Sequence, residues 1–307
     1  MQDNGAFPDI VTACRHAFFF VFKRMEKYMT QTWFITGASR GLGLEIARAA
    51  LAAGHNVVAA ARKPEAVTAA LGERPDVLLP VALDVTREDQ AKAAATAAVA
   101  KFGGIDVLVN NAGYGQLGFF EENTPDDARA QLKTNLIGTM NVSWAVLPVM
   151  REARKGRIFN ISSLAGITGG TMGSVYCASK FAVEGLSESI ANELEPFGIR
   201  VTIVEPGYFR TGFLGENSVR FGGAVIADYA EQSQQMQAQF RSHSGQQAGD
   251  PAKLATALIR LAEVDNPPLR FAAGSDCVEA IEAKLAALRG DLDRWRAAHA
   301  AHLGCGD

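Results

Sequence analysis

The sequence predicts an α/β fold, a single doubly wound parallel sheet of about seven strands with helices on both faces. Three observations predict it. Short β-branched runs alternate with longer helical patterns, and a glycine-rich turn joins the first run to the first helix. No Pro-, Gly- or Ser-rich linker interrupts the rhythm, so residues 29–307 read as one domain. Trp33-Phe34-Ile35-Thr36 is the first strand, and a helix from Leu42 to Ala53 follows the turn and stops at Gly54. The next strands are His55 to Ala60, Val77 to Leu83 and Ile105 to Asn110. After them come Arg157 to Ile161, Arg200 to Val204 and a short run from Leu269 to Ala272. Between the fourth and fifth lies a long helix, with Thr124 as N-cap, Pro125 at its first position and Asp126 and Asp127 in its first turn. Residues 208–248 are polar and Gln-rich and follow the sixth strand. Ligands of such sheets bind outside the carboxyl ends of the strands, so this segment is expected to be a lid. The C-terminal segment, 274–307, is amphipathic and charged; closing the pocket, packing on a neighbour or lying on the surface all fit it.

Composition removes several functional classes. Lys and Arg total 30 against 33 acids, with no basic stripe, which argues against nucleic acid and anionic membranes. Cys14, Cys177, Cys277 and Cys305 are scattered without a C-x-x-C pair, which suits a reducing cytoplasm. None of the 5 histidines forms an H-x-x-x-H pair, so no metal is expected. The apolar run at 17–22 is flanked by basic residues and falls far short of the ~20 residues that span a bilayer. It also lacks a small-residue cleavage site. Residues 1–28 are expected to be an extension outside the fold, from an upstream start codon or as a surface amphipathic helix.

Three stretches carry chemistry. Thr36-Gly37-Ala38-Ser39-Arg40-Gly41-Leu42-Gly43 follows a strand and opens a helix, where glycines let backbone approach a pyrophosphate. Its plain alternative is a strand-to-helix connection. The second strand ends Ala59-Ala60-Ala61-Arg62-Lys63, without the acid that would bind the ribose 2′-hydroxyl of NAD(H). Arg40 and Arg62 suit a 2′-phosphate instead, which favours NADP(H), unless both are merely solvated. Tyr176 and Lys180 lie four residues apart, on one helix face. A phenol ionises near pH ~10, and a neighbouring ammonium would lower that value, making an acid/base device. A solvated helix face is the alternative.

In order along the chain stand TGASRGLG (36–43), Asp84 in LDVT, NNAG (110–113), Asn135 in TNLIG, ISS (161–163), YCASK (176–180) and PGYFRT (206–211). Over roughly Met29 to Ala273 this set resembles the short-chain dehydrogenase/reductase family, and the stretch around Tyr176 is similar to its 17β-hydroxysteroid and retinol dehydrogenase branch. The resemblance implies a Rossmann-type fold and a homodimer or homotetramer. It implies that Gly37, Ser39, Arg40, Gly41, Leu42 and Gly43 cradle the dinucleotide, with Arg62 at its 2′-phosphate. Asp84 would accept from the adenine amino group, with Val85 beside the ring. Asn111, Ala112 and Gly113 would line the adenine ribose side, although Asn and Gly also favour plain turns. Pro206, Gly207 and Thr211 would hold the nicotinamide carboxamide. Tyr176 would donate a proton to a carbonyl oxygen that Ser163, thirteen residues earlier, also holds, with Ser162 as a neighbour. Lys180 would lower the Tyr176 pKa and bind the nicotinamide ribose. Asn135, through its backbone carbonyl, would seat a relay water. Tyr114, Leu117, Phe119, Phe120, Ile167, Met172, Tyr208, Phe209, Phe213 and Leu214 suggest an apolar pocket, hence a lipophilic ketone, aldehyde or alcohol, although several of these residues also suit a core. A non-catalytic NADP-binding regulator is the alternative. A sugar-nucleotide epimerase would need a G-x-x-G-x-x-G turn and a longer C-terminal substrate domain.

Overall fold

Strand β1 (Thr32–Thr36) is buried at every position, as a central parallel strand covered on both faces must be. Successive side chains point to opposite faces. Trp33 and Ile35 therefore join one core with Ile46 and Leu258, while Phe34 joins the other with Val58, Leu108 and Ile158. Each such fully buried large side chain contributes about 1.5–3 kcal/mol. The computed structural model describes residues 30–215 and 218–302, the side chains of 297–302 excepted. The expected extension at 1–28 lies outside them.

After β1 come α1 (Gly41–Ala52), β2 (Asn56–Ala61), α2 (Pro64–Leu71), β3 (Leu78–Ala82), α3 (Glu88–Phe102) and β4 (Val107–Asn110). Then follow β5 (Gly115–Leu117), α4 (Pro125–Leu132), a π-helical turn (Lys133–Ile137), α5 (Gly138–Ala153), β6 (Gly156–Ile161), α6 (Ser174–Leu194) and β7 (Ile199–Pro206). The chain closes with β8 (Val219–Phe221), α7 (Ala230–His243), α8 (Pro251–Ala262), β9 (Arg270–Ala273) and α9 (Ser275–His302). Seven strands form one parallel sheet in the order β3-β2-β1-β4-β6-β7-β9, as expected. Pro80 is tolerated in β3 because that strand is an edge. The strand order reverses between β1 and β4, which opens a crevice at their carboxyl ends.

Two features depart from the expectation. The single helix between β4 and β6 is two α-helices joined by the π turn, with Thr124 capping the first as expected. A second sheet pairs β5 with β8 in parallel, Gly115 opposite Val219. Three-residue strands are too short to carry an alternation signal.

The glycine turn leaves no room for side chains at Gly37 and Gly43. Gly37 has a left-handed φ of +67°, and a β-carbon on Gly43 would collide with Asn111 Nδ2 and fall 2.5 Å from the Gly37 carbonyl oxygen. Gly43→Ala is therefore expected to destabilise the protein by about 1–3 kcal/mol, read as a lower urea midpoint at unchanged slope.

Candidate active site

The carboxyl ends of β1, β4, β6 and β7 bring the expected residues to one edge of the sheet. Thr36, at the end of β1, ties the first two together. Its hydroxyl donates to the Val109 carbonyl (3.3 Å) and accepts from the backbone N–H groups of Asn111 (2.9 Å) and Ala112 (3.0 Å). The Asn111 side chain donates to the Thr36 carbonyl at 2.8 Å. The turn carrying Asn111, Ala112 and Gly113 is thus locked against the glycine turn, which goes beyond the plain turn its composition allowed.

The glycine turn forms a cradle that fits a dinucleotide. Gly41 has φ +56°, and the nearest neighbour of a β-carbon there would be Thr211 Cβ at 3.8 Å, so the turn and the segment after β7 face each other. Ser39 and Leu42 are half-buried beside it, whereas Arg40 and Arg62 are exposed at its rim. The Asp84 carboxylate accepts from the backbone N–H and hydroxyl of Thr86 through one oxygen (2.9 and 2.8 Å). Val85 is buried, its carbonyl held by Asn141 Nδ2 at 2.9 Å. Pro206 and Gly207 are fixed from the C-terminal helix. Asp276 in the first turn of α9 accepts from the Tyr208 N–H at 2.6 Å, and its carboxylate occupies the space a β-carbon on Gly207 would need.

Tyr176 and Lys180 share one face of α6. The Lys180 ammonium is 5.9 Å from the Tyr176 ring centroid and donates to the Ile161 carbonyl at 2.8 Å. Burial dominates both groups. It pushes the Tyr176 phenol up to about 12, with a hydrogen bond from Ser163 as the largest opposing influence. It pushes Lys180 down to about 8 against the pull of Glu184. The expected lowering of Tyr176 by Lys180 is therefore corrected: the ammonium is turned toward Ile161, and Ser163 is what favours the phenolate. Ser163 also caps the 3₁₀ turn Leu164–Gly166, its hydroxyl accepting from the Ala165 N–H at 3.1 Å.

Asn135 sits buried in the π turn, a distortion that recurs at functional sites. Its side chain accepts from the Tyr114 N–H (3.1 Å) and donates to the Tyr114 carbonyl (3.0 Å) and to Ser179 Oγ (3.1 Å). Ser179 in turn donates to the Tyr176 carbonyl at 2.7 Å. The backbone carbonyl expected to seat a water accepts from the Thr139 hydroxyl at 2.9 Å. Asn135 thus reaches α6 through its side chain.

Several residues of this site were not anticipated. Gln131, four before Asn135, donates to the Tyr114 carbonyl at 2.9 Å. Glu184, four after Lys180, is buried and bonds Arg270 at 2.6 Å. The same four-residue spacing that links Tyr176 to Lys180 could have found both. Ser179 and Asp276 had no such signal. Of the expected pocket residues, Phe213 lies against Tyr176 (5.8 Å between centroids), and Leu117 and Met172 are buried nearby. Phe209 packs on the core instead, and Phe120 and Tyr208 are largely exposed.

Residues 31–219 match the model of the short chain dehydrogenase family. The chain is 40% identical over 275 residues to Oxidoreductase BOA17 of Botryotinia fuckeliana, covering 87% of this chain and 97% of that protein. It is 37% identical over 244 residues to the 3-ketodihydrosphingosine reductase of Bacteroides thetaiotaomicron, covering 80% and 88%. Among solved structures, a short-chain dehydrogenase from Streptomyces avermitilis superposes with a TM-score of 0.82 at 38% identity, over 89% of this chain and 99% of that one. ElxO, solved with NADP bound, superposes with a TM-score of 0.63 at 28% identity, over 76% and 92%. With the sheet order, the glycine cradle and the Ser163, Tyr176 and Lys180 cluster on one edge, the chain belongs to the short-chain dehydrogenase family and is an oxidoreductase.

Proposed function

We propose that this enzyme is an NADP(H)-dependent reductase that interconverts a lipophilic ketone or aldehyde and its alcohol. The observation that carries the reading is the half-buried Tyr176 phenol beside Phe213, one helical turn from a buried ammonium and with Ser163 favouring its phenolate. The bound nicotinamide would supply the hydride. A carbonyl oxygen that gains negative charge needs donors placed on it and a proton delivered to it. Tyr176, with its pKa near 12, is fully protonated at neutral pH and acts as the proton donor. Ser163 holds the same oxygen. Lys180, near 8, keeps most of its charge at pH 7 and orients the ribose. Asn135 and Ser179 fix the helix that carries Tyr176.

The cradle of Gly37, Ser39, Arg40, Gly41, Leu42 and Gly43 would hold the pyrophosphate, with Asp84, Val85, Asn111, Ala112 and Gly113 on the adenine side. Pro206, Gly207 and Thr211 would take the carboxamide. The acid-free end of β2 and the exposed Arg62 and Arg40 support NADP(H) over NAD(H). Phe213, Met172 and Leu117 around Tyr176 support an apolar substrate, as does the likeness to a reductase named for a sphingoid ketone. The branch assignment to hydroxysteroid and retinol dehydrogenases is kept as part of this reading. Residues 208–248 act as the lid, with α7 resting over the site. We also read the protein as cytoplasmic and as one domain over 29–307. Exposed Leu132, Ile137, Trp144 and Phe181 on adjacent helices support self-association as a homodimer or homotetramer.

Mixing the purified protein with NADPH or NADH and a panel of ketones and aldehydes, and following nicotinamide absorbance, tests the assignment. Tyr176→Phe is expected to lose about 10²–10⁴-fold in turnover; wild-type turnover would remove Tyr176 as proton donor. Arg62→Ala is expected to weaken NADPH binding about tenfold or more and leave NADH unchanged. Faster oxidation of NADH than NADPH by the wild type would sink the NADP(H) reading. Lys180 gives a stability test. Its native pKa of about 8 lies below the unfolded value of 10.5, so between these pH values the native state binds fewer protons. Stability should therefore rise with pH across that window, by about 3 kcal/mol relative to Lys180→Met. Parallel thermal melts of the two proteins at pH 7 and pH 10.5 read the difference, with activity lost in the variant.

A further inference from the structure

From Leu285 to Arg296 every side chain of α9 is exposed, so this stretch of helix makes little contact with the body of the protein. Its apolar side chains are nevertheless strictly spaced. Val278, Ile281, Leu285, Leu288, Leu292 and Trp295 follow one another at steps of 3, 4, 3, 4 and 3 residues. Alternating steps of 3 and 4 place two apolar residues in every seven, the repeat of a seam between two supercoiled helices rather than the wider stripe of a helix docked on a core. Except for the half-buried Ile281, these side chains are between 42% and 63% exposed. A continuous uncovered seam of this kind is unusual on a monomer surface. That seam calls for an occupant.

We propose that α9 pairs antiparallel with α9 of a second copy of this chain. This gives the self-association read above a specific surface and rests on that reading. Charge selects both partner and direction. With Val278, Leu285 and Leu292 in the first core position of each heptad, Ile281, Leu288 and Trp295 occupy the second. The flanking positions then hold Lys284 and Asp291 on one side and Glu282, Arg289 and Arg296 on the other. An antiparallel pair that layers Leu285 on Leu288, Ile281 on Leu292 and Val278 on Trp295 places Lys284 against Asp291 and Glu282 against Arg289. Two-fold symmetry makes each of those contacts occur twice. All four are attractive. A parallel pair would instead set Lys284 against Arg289 twice, a repulsion, offset only by Asp291 against Arg296. The ion pairs these groups now make lie within the helix, Arg289 with Asp293 (2.9 Å) and Arg294 with Asp291 (3.7 Å). They are exposed and weak, so exchanging them costs little. Gly290 falls on the outermost position, where no partner side chain is packed.

Sedimentation of the full-length protein at graded concentrations tests this. Leu285→Glu with Leu292→Glu is expected to halve the mass of the assembly. Lys284→Glu alone is expected to raise the dissociation constant about tenfold, and adding Asp291→Lys to bring it back close to wild type. The charge pair removes no apolar side chain, so it still reports if the double glutamate variant misfolds; circular dichroism identifies that case. A multimer unchanged by all these variants overturns the α9 surface and leaves self-association to other faces. A wild type that sediments as a monomer throughout overturns both. Tighter association of Lys284→Glu overturns the antiparallel direction. Halving of the mass on removal of residues 1–28 alone would assign the seam to that segment of the partner or of the same chain, and overturn the pairing of α9 with itself.

Discussion

An ammonium group held inside the protein at neutral pH sets the terms for the edge of the sheet that carries Ser163 and Tyr176. Lys180 is buried on α6, and its charge is opposed by desolvation strongly enough to bring its pKa to about 8. Two things keep it there. The Ile161 carbonyl accepts its hydrogen bond at the end of β6, beyond the last pair with β4, where Asn110 meets Asn160. One turn along α6, Glu184 supplies the opposing charge, and burial pushes that carboxyl up to about 6. Glu184 and the fully buried Glu205 would repel each other without Arg270, which bonds Glu184 (2.6 Å), Glu205 (2.5 Å) and the more exposed Glu188 (2.5 Å). The charges thus alternate from the buried lysine out to β9. Each layer exists to neutralise the one beneath it, since an uncompensated buried charge costs several kcal/mol. Gly166 belongs to the same arrangement, because a β-carbon there would fall within 2.5 Å of Ser162 Oγ and 2.7 Å of Glu184 Oε1.

A second, uncharged network holds the other side of the site. The buried amides of Gln131 and Asn135 grip the Tyr114 backbone, and Asn135 passes on to Ser179 and so to the Tyr176 carbonyl. The π turn is what brings Asn135 inward; a regular helix through Lys133–Ile137 would rotate the following residues by part of a turn. Leaving any of these buried amides unpaired costs about 1–3 kcal/mol, so the Tyr114 segment and α6 are held to each other.

Much of this was legible because it rests on local rules. The strand alternation of Trp33, Phe34 and Ile35, the glycine turn and the Thr124 cap each follow from a few neighbouring residues. The positions of Ser163, Tyr176 and Lys180 came from spacing read together with family resemblance. What escaped the sequence depends on partners far along the chain. Arg270 meets Glu184 from 86 residues away, and Asp276 holds Tyr208 from 68. Nothing in either segment shows that the fold will bring them together. The direction of the Tyr176 shift was misread for a related reason: four-residue spacing gives proximity, but burial and the aim of Lys180 toward Ile161 decide the proton affinity.

Residues 208–248 are fastened by a different kind of contact. Of the residues of α7, Ser233 alone is buried, and its hydroxyl donates to the buried carboxylate of Glu122 at 3.2 Å. Tyr229, just before the helix, stacks on Phe119 (4.6 Å between centroids) and donates to Glu121 at 2.6 Å. Ala230, Met236 and Phe240 are half-buried on the same helix, so apolar area as well as hydrogen bonds holds it. The exposed bond from Tyr229 to Glu121 is exchanged for water at small net cost, whereas the buried bond from Ser233 to Glu122 is not. Glu122 loses less than most buried acids would if Ser233 departs, because it also accepts from the Phe119 N–H at 2.9 Å. Residues 208–248, expected to be a lid, are thus held by one exposed hydrogen bond, one buried one and half-buried apolar side chains, whereas the alternating charges behind Lys180 and the amides around Asn135 hold α6.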